Sequence, residues 1–453
     1  MADIHKLYQA LKELEDELTP CMKCGMCQAV CPLYAETKRE TDVARGKIAL
    51  LEFMAAEMLQ DPKAVKDRLD KCLLCGSCAA NCPSGVKVLD VFLKARSIIT
   101  EYQGLSLPKK IIFKGVLAKP GTFDALLSMS AKLQGIFTRK TNLTLGSSCA
   151  RFKNPLLGER HFAPLAKVPW HRQTPALNTE PGPDKPKVAF FPGCLTDKVF
   201  PRLAETVVQV LGHHQVGIFM PKDQACCGIP ALASGDKETF VTLVTHNIQR
   251  FRSEQPFDYL ITPCATCTST IRKVWPGMQD FFPPDLREAI QELAVRTLDI
   301  NAFLVDILQL PLERPAVETK TSITYHDPCH LKKSLDVAEQ PRKLLQANPT
   351  YTFIEMKDAD RCCGMGGSFN LQHYDLSRQI GEKKLQNILQ SEAEVVATGC
   401  PACMLQITDL LSREGRNIAV KHPIEIYAET LNQKKRSEER RVGKECILKC
   451  RSR

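Results

Sequence analysis

Two stretches of this chain carry one pattern, Cys-x-x-Cys-x-x-Cys-x-x-x-Cys-Pro. They read Cys21-Met-Lys-Cys24-Gly-Met-Cys27-Gln-Ala-Val-Cys31-Pro32 and Cys72-Leu-Leu-Cys75-Gly-Ser-Cys78-Ala-Ala-Asn-Cys82-Pro83. The pattern constrains the fold because a metal cluster dictates where each thiolate must go. Two-residue spacers let three thiolates wrap one corner of a [4Fe–4S] cluster, while the three-residue spacer sends the fourth to the neighbouring cluster. Cys21, Cys24, Cys27 and Cys82 are therefore expected around one cluster, and Cys72, Cys75, Cys78 and Cys31 around the other. Gly25 and Gly76 let the backbone pass close to inorganic sulfide, and the proline after the fourth cysteine ends the loop. Zinc sites prefer two Cys-x-x-Cys pairs separated by a longer gap, so two complete motifs of this spacing favour clusters over zinc.

The chain has 21 cysteines in 453 residues, which fits either a secreted disulfide scaffold or an intracellular metal protein. Met1 to Leu18 (MADIHKLYQALKELEDEL) lacks the apolar core and small-residue cleavage site of a signal peptide. The expectation is a reducing cytoplasm, with peripheral attachment to the cytoplasmic face of the inner membrane left open. No run of eighteen apolar residues is present to span a bilayer. The formal charge is +10, but Arg436 to Arg453 (RSEERRVGKECILKCRSR) supplies +4 of it, seven basic residues against three acidic. Its first eleven residues resemble a translated sequencing adapter, so the natural chain is expected to stop near Lys435, and Cys446 and Cys450 are set aside. The remaining charge comes without any basic run interleaved with aromatics, which argues against nucleic-acid binding.

Residues 4 to 18 read as an amphipathic helix with Leu7, Leu11, Leu14 and Leu18 on one face. Val43 to Leu59 is strongly helical and sits in the long gap between the two motifs, unlike the short hairpins of a compact bacterial ferredoxin. Val86 to about Lys140 is helical as well. Its stretch Lys109 to Lys140 mixes basic residues with Ile111, Ile112, Phe113, Leu117, Leu126, Leu127 and Phe137. A helix pair covering the core is the preferred reading; a membrane-surface or partner face is the alternative. Asn154 to Lys187 contains seven prolines and reads as an extended linker.

Beyond the linker the sequence repeats. Cys194, Cys226-Cys227-Gly228 and Cys264-x-x-Cys267 recur as Cys329, Cys362-Cys363-Gly364 and Cys400-x-x-Cys403, at offsets of 135, 136 and 136 residues. In the first copy Val188–Phe191, Val216–Met220 and Tyr259–Thr262 read as strands, and Leu203–Leu211 and Phe240–Phe251 as helices. Such alternation means α/β units with parallel strands, whose carboxyl ends collect ligands. Two adjacent thiolates can bridge metals but fit poorly as two corners of one tetrahedral zinc site. A zinc ion, a cubane cluster and a redox-active thiol pair all stay open. Gly364-Met-Gly366-Gly367 lacks the context of a dinucleotide loop and reads as a tight turn. His326 and His330, beside Cys329, read as polar lining, with ligand or proton-donor roles open. Cys149 matches no motif and reads as a buried thiol.

The helical spacing of the first motifs resembles the ferredoxin module in iron–sulfur subunits of respiratory dehydrogenases. The repeated unit resembles the cysteine-rich CCG family. That resemblance implies a further, non-cubane cluster on Cys194, Cys226, Cys227, Cys264 and Cys267, and another on Cys329, Cys362, Cys363, Cys400 and Cys403. The layout as a whole resembles the glycolate oxidase iron–sulfur subunit family. The expected fold is α+β multidomain: an all-α two-cluster domain (1–100), a connector (101–187) and two α/β CCG domains (188–321 and 322–432). The implied function is electron transfer within a glycolate or D-lactate dehydrogenase, from an FAD-containing partner through two [4Fe–4S] clusters towards quinone or another carrier. No catalytic residue is assigned to this chain. The C-type subunit of anaerobic glycerol-3-phosphate dehydrogenase has a similar layout, and the CCG domains resemble those of heterodisulfide reductase, which implies as a further alternative disulfide chemistry at a cluster there.

Overall fold

The computed structural model describes residues 4–152, 158–252, 256–312 and 320–431; the adapter-like tail lies outside the described residues. The N-terminal body is helical. Ile4–Lys12 buries Leu7, Tyr8 and Leu11, and the chain turns before the short helix Glu15–Leu18, so the expected single helix is two. Ala44–Ala55 and Val88–Gln103 pack against the first helix and close its apolar core. Two cations are buried here with carbonyl partners. Lys47 donates to the Asp42 carbonyl, and Arg96 donates to the carbonyls of Leu69, Cys72 (2.9 Å) and Ala233 (2.6 Å). Arg96 thus clamps the second cysteine motif to the domain that follows.

The connector is not a free tether. Leu107–Lys110 continues into a π-helical stretch, Ile111–Leu117, and Pro120–Phe137 follows. Then come three antiparallel strands in the order β1 (Thr138–Asn142), β2 (Ser147–Ala150), β3 (His161–Phe162). The proline-rich stretch contributes β4 (Leu177–Thr179) as an antiparallel edge strand of the next sheet. Prolines keep that stretch extended and limit it to an edge, but its apolar ends still find pairing partners.

The two repeated domains have matching sheets. The first has the order β4-β6-β5-β7-β8, with β5 (Lys187–Phe190), β6 (Gly217–Met220), β7 (Tyr259–Thr262) and β8 (Thr297–Asp299) mutually parallel. The second has β10-β9-β11-β12, with β9 (Thr321–Tyr325), β10 (Tyr351–Phe353), β11 (Val395–Ala397) and β12 (Ala419–Lys421), all parallel. Setting β5 against β9 makes the core orders identical, so the repeat in sequence is a repeat in topology. In each sheet the second strand pairs on one side of the first and the third on the other, the switch point at which open α/β sheets bind ligands. The cysteine segments leave from the carboxyl ends of those strands: Cys194 after β5, Cys226–Cys227 after β6, Cys264 after β7, with the same arrangement after β9, β10 and β11.

Candidate functional site

The two N-terminal motifs fold alike. Lys23 and Leu74, at equivalent positions, both have φ of +54°, and Gly25 (+89°) and Gly76 (+75°) cap the short helices Met26–Val30 and Ser77–Ala80. Repeated left-handed residues reverse the backbone around one point, which is how closely spaced thiols come to face each other. Cys21, Cys24, Cys27, Cys78 and Cys82 line one cavity of about 30 Å³; Cys31, Cys72, Cys75 and Cys78 line a second of about 30 Å³, so Cys78 touches both. The fourth cysteine of each motif thus reaches across to the other motif's three. The donors fit an iron–sulfur group: they are thiols, with backbone N–H groups aimed at them from Leu74 to Cys72 Sγ (3.4 Å) and Tyr34 to Cys31 Sγ (3.5 Å). Burial pushes the Cys31 thiol up to about 12 and raises Cys27 as well, so metal binding must expel their protons.

In each repeated domain the Cys-Cys-Gly turn has one geometry. The second sulfur accepts the N–H two residues on, Ile229 for Cys227 and Met365 for Cys363. That turn needs the left-handed glycines Gly228 (φ +90°) and Gly364 (φ +92°). It also needs their missing side chains: a Cβ would stand 2.7 Å from Phe240 and 2.3 Å from the Ser377 carbonyl oxygen. Asn247 Nδ2 and Trp275 Nε1 donate to the carbonyls of Cys226 and Cys227, each at 3.0 Å.

The thiols of the two domains are not two separate pools. Cys226 neighbours Cys194 and Cys227, Cys227 neighbours Cys267, and Cys267 neighbours Cys264. Cys264 meets Cys400 of the other copy, Cys400 meets Cys403, and Cys403 lies 3.5 Å from Cys363. Cys362 meets Cys329 and, across the domain boundary, Cys75 of the second N-terminal motif. The thiols of the run are pushed in both directions. Contact with Cys194 and burial raise Cys226, while hydrogen bonds from Cys226 and Cys267 pull Cys227 down; Cys363 is pulled down likewise by Cys362 and Cys403. The contacts Cys75–Cys362 and Cys264–Cys400 join segments more than a hundred residues apart, and no local pattern announces them.

The remaining sequence candidates fall as follows. His330 bridges three parts, with Nδ1 3.1 Å from Thr266 Oγ1 and Nε2 3.2 Å from the Leu74 carbonyl. His326 is buried; burial and nearby Lys384 push it down to about 3, so it is neutral. The Gly364–Gly367 loop is a tight turn that packs on the second motif, where a Cβ on Gly366 would be 3.2 Å from Leu73 Cα. Cys149 is buried away from the other thiols, and Arg139 Nε lies 3.3 Å from its sulfur. The helix pair in Lys109–Lys140 does more than cover the core. Phe113, Leu117 and Ala131 are buried, but Ile111, Ile112, Met129, Leu133, Ile136 and Phe137 are exposed, because the apolar stripe is wider than the face the core takes.

One site had no sequence signal. A cleft of about 170 Å³ opens on Cys194 and Cys226, walled by Phe123, Trp170, Pro175 and Met220. In its wall His171 sits between two carboxylates, Nδ1 2.9 Å from Asp197 and Nε2 3.2 Å from Asp124, and Lys198 contacts both acids. Hydrogen bonds to Asp124 and Asp197 push His171 up to about 9. Trp170 Nε1 and Gln224 Oε1 are buried with no hydrogen-bond partner among the described residues. These groups come from four separate elements.

An all-thiol two-cluster domain followed by a duplicated cysteine-rich α/β domain defines a class of iron–sulfur electron-transfer proteins. Residues 17–86 match the family described as a 4Fe-4S dicluster domain, and residues 188–272 and 323–408 match the cysteine-rich CCG domain. The chain is 31% identical to the probable glycolate oxidase iron-sulfur subunit of Bacillus subtilis, over 88% of this chain and 90% of that one. It is 24% identical to the glycolate oxidase iron-sulfur subunit of Escherichia coli (93% and 96% covered). It is also 27% identical to a subunit of the dihydromethanophenazine:CoB–CoM heterodisulfide reductase of Methanosarcina barkeri (92% and 94%). In fold it is similar to a hypothetical protein from Helicobacter pylori, with a TM-score of 0.51 at 11% identity, covering 95% of this chain and 77% of that one. The chain belongs to the glycolate oxidase iron–sulfur subunit family. It is an electron-transfer component of the oxidoreductase class and carries [4Fe–4S] clusters.

Proposed function

We propose that this chain conducts electrons from a flavin-containing partner that oxidises glycolate or D-lactate to an acceptor bound at the first CCG domain. One observation carries the reading: the cysteines form an unbroken succession from the N-terminal motifs, through Cys75 and Cys362, to Cys194 at an open cleft. In this reading Cys21, Cys24, Cys27 and Cys82 hold one [4Fe–4S] cluster and Cys31, Cys72, Cys75 and Cys78 the other. The ten CCG cysteines hold further iron–sulfur groups. When bound, these groups supply one-electron transfer; the protein's part is to fix their spacing and exclude water. Exposed Met22 and Met26 beside exposed Cys24 offer the entry face to the partner.

The cleft supports a quinone as acceptor. A cavity of about 150 Å³ is enough for benzene, so about 170 Å³ admits one ring. Phe123, Trp170, Pro175 and Met220 form an apolar part of its lining beside its charged groups, and Trp170 and Gln224 have one unused donor and one unused acceptor. The exposed apolar face of the helix pair, with seven basic residues against one acidic between Leu107 and Lys140, suits an anionic lipid surface beside the mouth. Among the described residues no helix is long and apolar enough to cross a membrane. The similarity to a heterodisulfide reductase component supports a second reading, in which the cleft takes a disulfide.

Anaerobically purified protein mixed with candidate flavoproteins tests the first reading. Glycolate or D-lactate is expected to produce the EPR signals of two reduced cubane clusters. Reduction by glycerol-3-phosphate and its own flavoprotein, with neither hydroxy acid effective, would overturn the substrate class. Oxidation of the reduced protein by a disulfide, with menadione inert, would establish the second reading.

A further inference from the structure

Among the residues beside their thiols at which the duplicated domains differ, one pair is buried in both copies. Three positions before the first cysteine of each copy stand Phe191 and His326. Phe191 is fully buried and packs on Phe251, with ring centroids 6.2 Å apart. His326, 1% exposed, occupies the matching place after β9. A ring nitrogen of His326 and the sulfurs of Cys363 and Cys403 all lie within 4.8 Å of one another.

The two nitrogens of His326 have different surroundings. Nδ1 is 3.2 Å from the Ala359 carbonyl, which can only accept, so Nδ1 carries the proton. Nε2 then presents a lone pair, and it is buried with no hydrogen-bond partner among the described residues. A histidine beside two thiols, with one nitrogen tied to a backbone carbonyl and the other left unpaired, is held the way metal-bound histidines are.

We propose that His326 Nε2 is a ligand of the metal centre held by the second copy's cysteines, so that this centre is mixed nitrogen–sulfur while the first copy's is all-sulfur. The proposal rests on the reading that the CCG cysteines hold metal. Imidazole is neutral where thiolate is anionic, and histidine ligation raises the potential of iron–sulfur centres. The two copies would then differ in potential although their sheets and cysteines match.

Pulsed EPR on the full chain, purified anaerobically with ¹⁵N-histidine, reads this directly; X-ray absorption replaces it if the metal is zinc. One directly bound imidazole nitrogen is expected at a centre distinct from the two cubane clusters. It should vanish in His326→Phe, which installs the first copy's own residue, and persist in His330→Phe. Absence of nitrogen coupling in the wild type, persistence in His326→Phe, or no metal beyond the two cubane clusters would each overturn it. The wild-type spectrum decides even if the variant does not accumulate. Because the cubane signals and their reduction by the partner are read in the same samples, failure here is separable from failure of the electron-transfer reading.

Discussion

At the scale of single residues the thiol sites depend on two glycines as much as on cysteines. Gly364 must adopt a φ of +92° and leave room for the Ser377 carbonyl. Gly364→Ala should therefore destabilise by about 2–4 kcal/mol, combining left-handed strain with overpacking, and lower the metal content of the purified protein. Gly146→Ala, at φ +63° but in open space, should cost only about 1 kcal/mol. Chemical denaturation of both variants checks the difference. His171 gives a second prediction. Its folded pKa of about 9 lies above its ordinary value near 6.5, so its stabilisation is complete below pH 6.5 and fades as pH rises through 9. His171→Gln should be less stable than wild type at pH 6 and nearly equal to it at pH 10, in urea titrations across that range. The cysteines and glycines are legible in the sequence because metal chemistry fixes both residue type and spacing. His171 is not, because its partners Asp124, Asp197 and Lys198 come from distant segments and carry no shared spacing.

At the scale of elements, β/α alternation identifies the repeated domains, since parallel strands buried on both faces read as short apolar runs. The strands β5, β6 and β7 lie within a residue of their expected ends. The connector departs from its expected form for a physical reason. Proline density says that a segment is extended, not whether it is docked, and Leu177–Thr179 pairs with β6 through register that composition does not reveal. The helix pair Ile111–Leu117 and Pro120–Phe137 is likewise ambiguous in sequence, because periodicity shows an apolar face but not what covers it. If that face meets lipid, the protein should float with vesicles containing anionic lipid. Ile112→Glu with Ile136→Glu should then weaken binding at least about tenfold, since each buried side chain contributes on the order of 1.5–3 kcal/mol. Unchanged flotation, with loss of the flavoprotein complex instead, would make the face a protein interface.

At the scale of the whole molecule, the contacts between domains define function. Arg96 clamps the second motif against the first CCG domain, His330 and Gly366 hold it against the second, and the thiol run crosses both boundaries. Neither crossing is legible in the sequence: Cys75–Cys362 and Cys264–Cys400 are products of docking, and sequence spacing speaks only within a domain. Cys75 stands at the first crossing, so Cys75→Ala is the decisive variant. Rapid-freeze EPR of the assembled complex, alongside an acceptor assay, measures each stage. Substrate should still reduce the flavin and the cluster at Cys21, Cys24, Cys27 and Cys82, and a dye that takes electrons at the flavin should react at the wild-type rate. Quinone reduction should fall to background. Undiminished quinone reduction in Cys75→Ala would contradict a path through this chain.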